Sequence, residues 1–222
     1  MEQGMHDPIR ATWGAKAKQA GMDVQFFMGK APDTENTRHI YRYQRDEVVL
    51  PCQDDYQSLP FKTRDICKWA TGKITDFVFL CDTDTYVDID LMLRSGFKDQ
   101  DYLGEMPYAV SKIFQYKSDA GGKMEIRDRC RSWASGGVGY FLSKRALTEV
   151  AYSYPDSWAE DLWVGQVIMP LVAEGEMRAM NTRENNYCGS KFSWHYPIEE
   201  LKVKNPELIA QWLKDMDKQV RS

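Results

Sequence analysis

Residues 77–88 read FVFLCDTDTYVD, an apolar run that ends in Asp82-Thr83-Asp84 and meets a further carboxylate at Asp88. A short run of this kind predicts a buried strand, apolar on both faces and central in its sheet. The strand delivers two carboxylates to its C-terminal edge, where α/β sheets bind their ligands. Carboxylates at the end of a buried strand are costly to keep charged unless a positive group meets them. Two hard oxygen donors at this spacing suit Mg²⁺ or Mn²⁺, which keep waters and take phosphate oxygens as further ligands. Alone, an Asp-x-Asp triplet at a strand-to-turn junction arises by chance in many folds, so its meaning depends on the surrounding chain.

Outward from that strand, apolar runs alternate with segments at helical spacing, the mark of an α/β sheet. Upstream, IRATWGAKAKQAG predicts a helix closing at Gly21, MDVQFFMG a strand, DEVVLP a short strand and PFKTRDICKWATG a helix. Downstream, VDIDLMLRSG predicts a short helix, YAVSKIF and GVGYFLS strands, and SKRALTEVAYS a helix capped by Ser143. EDLWVGQVIMPLVAEG predicts a helix with acidic residues in its first turn. In the tail, Ile209, Trp212, Leu213, Met216 and Val220 share one face of an amphipathic docking helix. No repeat, low-complexity tract or linker divides the chain, so residues 1–222 are expected to form one domain.

The bulk composition narrows the classes. The 222 residues suffice for one sizeable core, and a net charge of −4 argues against a broad nucleic-acid or anionic-membrane surface. No apolar run approaches the ~18–20 residues needed to cross a bilayer, and the N-terminal MEQGMHDPIR lacks a signal-peptide core. The chain reads as soluble and cytoplasmic. Its five cysteines (Cys52, Cys67, Cys81, Cys130 and Cys188) form no C-x-x-C pair, which leaves buried thiols in a reducing compartment. Seven tryptophans and 12 tyrosines admit two readings, core packing or a surface that stacks on the flat faces of sugars or bases.

Three further stretches carry chemistry. In SWASGGVGYFLSKRAL, Gly136, Gly137 and Gly139 precede a strand; glycines there allow a tight turn or a backbone close to a ligand. In WAEDLWVG, Glu160 and Asp161 stand at a helix start, where they compensate the helix dipole or act as a general base toward an acceptor hydroxyl. In FSWHYP, His195 is either a satisfied core histidine or a neutral imidazole ligand for Mn²⁺.

Taken in order, IRATWG, QDDYQSLPFKT, the strand into Asp-x-Asp, ASGGVGYFLSKRAL, EDLWVG and the late histidine resemble the β-1,3-glycosyltransferases of family 31, closest to the Fringe and core-1 galactosyltransferase branch. The resemblance covers roughly residues 9–196. It implies a GT-A fold, a single Rossmann-like mixed sheet flanked by helices, and inverting, metal-dependent transfer from a UDP-sugar to a hydroxyl of a glycan or other acceptor. By matching position, Asp84 would coordinate Mn²⁺ (or Mg²⁺), Asp82 would meet the donor ribose or the metal, and His195 would complete the ligands. Asp161 would be the base with Glu160 beside it. Thr83, Gly136 and Gly137 would line the donor, and Trp163 would sit near the acceptor. Arg10 and Lys62 match motif positions without an assigned role.

The chain also departs from that family. Members carry a strand before R-x-x-W, whereas only nine residues precede Arg10 here and MEQGMHDPI does not read as a strand, so two alternatives stand: the start is truncated, or the fold manages without its first strand. Members are also normally luminal, with a membrane anchor and paired cysteines; their absence from this sequence suggests a cytoplasmic bacterial or viral relative. In that setting a hydroxymethylated DNA base is an alternative acceptor, one the net charge does not favour. Two rival classes stay open. Asp82-Thr83-Asp84-Thr85 also fits the D-x-D-x-T nucleophile motif of haloacid-dehalogenase-type phosphatases, and an inactive glycan- or nucleotide-binding module would retain much of the same sequence.

Overall fold

The computed structural model describes residues 5–30, 41–44, 46–106, 108–109, 115–117, 123–125, 132–183, 190–197 and 205–221. The chain opens with helices α1 (His6–Ala11) and α2 (Trp13–Gln19), followed by strands β1 (Phe26–Lys30), β2 (Tyr41–Gln44) and β3 (Glu47–Gln53). A 3₁₀ turn (Tyr56–Ser58) leads into α3 (Leu59–Thr71), then β4 (Phe77–Leu80), β5 (Thr85–Val87), α4 (Ile89–Leu93) and β6 (Tyr102–Gly104). Short strands β7 (Tyr108–Ala109), β8 (Gln115–Lys117), β9 (Lys123–Glu125) and β10 (Ser132–Trp133) precede β11 (Tyr140–Ser143). The remainder is α5 (Lys144–Tyr152), α6 (Glu160–Ala173), β12 (Ala179–Asn181), β13 (Ser193–His195) and α7 (Pro206–Arg221).

The centre is a mixed four-stranded sheet in the order β12-β6-β11-β4, with β12 parallel to β6 and the other pairs antiparallel. Alternate residues feed opposite faces, as strand geometry requires. Phe77 and Phe79 of β4, Leu103 of β6 and Phe141 of β11 enter one core with α1, α2 and α7. Val78, Leu80, Tyr102, Tyr140 and Leu142 enter a second core with α3, α5 and α6. The expectation that β4 is apolar on both faces therefore holds, and the mixed α/β architecture is that of a GT-A-like fold.

The expectation that β4 is central does not hold. It pairs only with β11, and β1 pairs only with β3, so among the described residues no ladder joins the four-stranded sheet to the β1-β3-β2 sheet. The single sheet anticipated from sequence is divided among the described residues: the strands beside the helices form a three-stranded and a four-stranded sheet, with β1 and β4 as facing edges, and the remaining strands pair in twos. Leu80 still packs beside Phe27, Val48, Leu50 and Ile66, so apolar contact continues where the hydrogen bonds stop.

The first predicted helix is two, broken at Thr12, whose backbone leaves helical geometry (φ −112°, ψ −117°). Helix α5 starts where expected, with Ser143 Oγ accepting from the Ala146 N–H at 3.3 Å. The tail helix docks through Ile209 and Leu213. The strand predicted over YAVSKIF survives as β7 within the described residues. Cys52, Cys67 and Cys81 are free thiols, and burial pushes the pKa of the Cys52 thiol up to about 11. Cys130 and Cys188 lie outside the described residues. No helix among those described is long and apolar enough to cross a membrane.

Candidate active site

Past the end of β4 the chain makes a turn, closed by the Thr85 N–H donating to the Asp82 carbonyl at 3.3 Å. Asp82 is exposed on this turn, Thr83 half-buried, and Asp84 only 2% exposed. The chain then enters β5, which pairs antiparallel with β13 so that His195 stands opposite Thr85. The Tyr196 N–H donates to the Asp84 carbonyl at 2.9 Å and continues the ladder. Two three-residue strands thus carry a histidine from the last quarter of the chain to the aspartates. His195 Nδ1 lies 3.4 Å from Asp84 Oδ1. One donor atom from each of Asp82, Asp84 and His195 falls within 4.8 Å of the others.

This donor set fits a hard divalent cation. Donors around an octahedral ion at about 2.1 Å stand about 3.0 Å apart when cis and about 4.2 Å when trans, so donors up to 4.8 Å apart close on an ion by side-chain movements of roughly an ångström or two. The turn formed by Gly136, Gly137 and Val138 makes room for it. A Cβ on Gly137 would fall 3.2 Å from Cε1 and Nε2 of His195, so the glycine lets the backbone pass close to the ring without displacing it. Thr85 joins the two sides: its hydroxyl donates to the Gly137 carbonyl and lies 3.5 Å from His195 Nδ1. Beneath it, the buried indole N–H of Trp13 donates to the Thr85 carbonyl at 3.0 Å, which ties R-x-x-W to the site.

The same glycine turn reaches the predicted base. The Gly136 N–H donates to Asp161 Oδ2 at 3.3 Å, and the Leu162 N–H donates to Oδ1 at 2.7 Å. A Cβ on Gly136 would meet Glu160 Oε2 at 2.8 Å. Both carboxylates sit at the start of α6, but their environments differ. Burial, followed by the neighbouring charge of Asp161, pushes Glu160 up to about 8, against the opposing hydrogen bonds from Tyr140 and Thr63. The Tyr140 hydroxyl donates directly to Glu160. Burial also raises Asp161, opposed by the backbone N–H groups of Gly136 and Leu162. Both are raised by burial, but Glu160 also carries its neighbour's charge whereas Asp161 accepts from two backbone N–H groups, an asymmetry suited to dividing acid and base roles.

The remaining sequence-predicted residues lie elsewhere. Arg10 donates to Asp46 (3.1 and 2.9 Å), Glu47 (2.7 Å) and Asp7 (2.7 Å), and its guanidinium sits over the Phe26 ring. It fastens α1 to β1 and β3. Lys62 pairs with Asp54 at 2.8 Å. Trp163 is 1% exposed and donates its indole N–H to the Tyr154 carbonyl at 3.2 Å. Sequence reasoning passed over Thr85, Tyr140 and Thr63. The first two stand inside motifs that were read, D-T-D-T and G-G-V-G-Y, but nothing in those patterns states which neighbour their hydroxyls meet.

Comparison with known proteins is in keeping with this geometry. A family model described as Galactosyltransferase matches residues 6–172. Hydroxyproline O-galactosyltransferase GALT2 of Arabidopsis thaliana is 28% identical over 92 residues, which cover 39% of this chain and 14% of that protein. The family match spans the glycine turn and the acidic start of α6 together, a span the D-x-D-x-T phosphatase reading does not account for.

Proposed function

The chain belongs to the galactosyltransferase family, and from that premise we propose that it transfers a sugar from a UDP-sugar to an acceptor hydroxyl, with inversion and with a divalent metal, Mn²⁺ or Mg²⁺. The observation that carries this reading is one backbone turn with two neighbours: Gly137 against His195 of the Asp82–Asp84–His195 cluster, and Gly136 on Asp161. Metal ligands and a carboxylate base thereby flank the space into which a donor sugar would fit.

Asp82, Asp84 and His195 would hold the cation, which when bound neutralises charge on a departing diphosphate as a Lewis acid. Asp161 accepts the proton of the acceptor hydroxyl as its oxygen forms a bond to the anomeric carbon. The bond from that carbon to the diphosphate oxygen breaks, and the electron pair leaves with the diphosphate. Attack from the face opposite the leaving group inverts the configuration. Glu160, held protonated at neutral pH, keeps a second negative charge away from Asp161. Burial of Asp161 brings its basicity nearer the working pH, where proton transfer is most effective. Thr83, Gly136 and Gly137 would line the donor.

The test is Asp161→Asn. UDP-sugar binding, followed by thermal shift with Mn²⁺, is expected to remain within twofold of wild type, while transfer falls by ~10²–10⁴. Transfer by this variant at the wild-type rate overturns the assignment of the base.

A further inference from the structure

The entrance to α6 carries aromatic side chains that the metal cluster and the base do not use. Tyr56, in the 3₁₀ turn before α3, is 67% exposed, and its ring lies 5.9 Å from that of Trp158 at an interplanar angle of 44°. Trp158 is three residues ahead of Asp161 and packs inward on Leu162 and Trp133. One turn along α3, Phe61 meets Tyr154 edge-on at 6.1 Å, and Tyr154 is 74% exposed. Thr63, in the same stretch of α3, hydrogen-bonds Glu160. The beginning of α3 and the approach to α6 therefore meet beside the two carboxylates, with tyrosine rings turned to solvent on that rim.

An exposed aromatic ring presents a flat apolar face that a ligand can cover, and Tyr56 and Tyr154 present theirs beside the two carboxylates. We propose that the exposed ring of Tyr56, braced by the tilted ring of Trp158 behind it, is a platform on which the apolar C–H face of an acceptor pyranose ring stacks, presenting one of its hydroxyls to Asp161. This rests on the transfer reading above and names the acceptor class for it. A flat aromatic surface suits the C–H face of any saturated ring; the charged rim selects the sugar. Asp54 and Lys62 are paired at 2.8 Å just below Tyr56, and Asp55 caps the turn on which Tyr56 stands. Such groups match the several edge hydroxyls of a sugar, whereas a hydroxylated proline in a peptide offers one hydroxyl flanked by amides.

The experiment compares methyl pyranosides with a hydroxyproline-containing peptide as acceptors, using the full chain, Mn²⁺ and whichever UDP-sugar stabilises it in a thermal-shift panel. Pyranosides are expected to be glycosylated. Tyr56→Ala and Tyr56→Leu are expected to raise the acceptor KM about tenfold, the size of one lost stacking contact, while Tyr56→Trp keeps it within twofold and the donor KM moves less than twofold in all three. An acceptor KM unchanged in Tyr56→Ala overturns the platform and leaves the transfer reading standing. Use of the peptide with refusal of every pyranoside overturns it as well. A wild-type chain that neither binds nor cleaves any UDP-sugar overturns the transfer reading, and the platform falls with it.

Discussion

Replacement of Gly137 by alanine tests the proposed metal site with the smallest available change. The new methyl would stand 3.2 Å from Cε1 and Nε2 of His195 and 3.3 Å from Nδ1, where ordinary contact begins at 3.4 Å. The backbone at Gly137 lies outside the left-handed region, so the variant strains nothing by itself and the imidazole must retreat by a few tenths of an ångström. Metal–donor distances tolerate about 0.2 Å, and disturbing the support of a single ligand typically costs about 10–100-fold in affinity. Manganese affinity is therefore expected to fall about tenfold or more, about 1.4 kcal/mol, with the melting temperature of the metal-free protein unchanged. Titration followed by the electron paramagnetic resonance of free Mn²⁺ reads this directly and needs no substrate. Gly72→Ala serves as control, because its Cβ would meet only the Trp69 carbonyl at 3.5 Å. Equal Mn²⁺ affinity in wild type and Gly137→Ala would refute the placement of His195 as a ligand, as would retention of that affinity in His195→Ala.

Two further outcomes concern stability. In the fold, Glu160 keeps its proton up to about pH 8, whereas the unfolded chain releases it near 4.5. The native state thus binds more protons across this window, and its contribution to stability falls as pH rises from about 4.5 to 8. Glu160→Gln is expected to flatten that decline in melting temperature; profiles that run parallel between pH 5 and 8 would exclude Glu160 as its source. Arg10→Ala removes the guanidinium from Glu47, whose side chain is 4% exposed, and is expected to cost about 3 kcal/mol in urea unfolding. Arg10→Lys should recover less than half, because an ammonium cannot span both oxygens of Asp46.

Much of the fold follows from local pattern. The alternation of Phe77, Val78, Phe79 and Leu80 between two cores is the apolar run read as a strand, and Ser143 and the face of α7 behave as their spacing predicts. Edge position was not legible, because a strand covered by helices on both faces reads the same with one hydrogen-bonded neighbour or two. The break at Thr12 was hidden for another reason: Thr12, Trp13 and Gly14 are weak helix formers inside a helically spaced segment, which tolerates them, and the deviation comes from anchoring, with the Thr12 hydroxyl on the Pro8 carbonyl and Trp13 drawn to Thr85. The metal cluster is the harder case. Strands β5 and β13 have three residues each, too short for any periodicity to register. The pairing of His195 with Asp84 was suggested only by resemblance to a family. The platform residue Tyr56 went unread because one aromatic in a turn carries no pattern of its own.

The β5–β13 ladder places His195, the third proposed ligand, 111 positions after Asp84, and α7 braces this pair of strands, with the Tyr86 hydroxyl on Asp217 and the Tyr196 ring against Trp212. Order of synthesis consequently governs when the centre exists at all. A ribosome that has delivered the acidic turn, the glycines and the start of α6 holds a nascent chain with carboxylates and no imidazole beside them. The three donors can converge only after β13 has been made and α7 has seated against it.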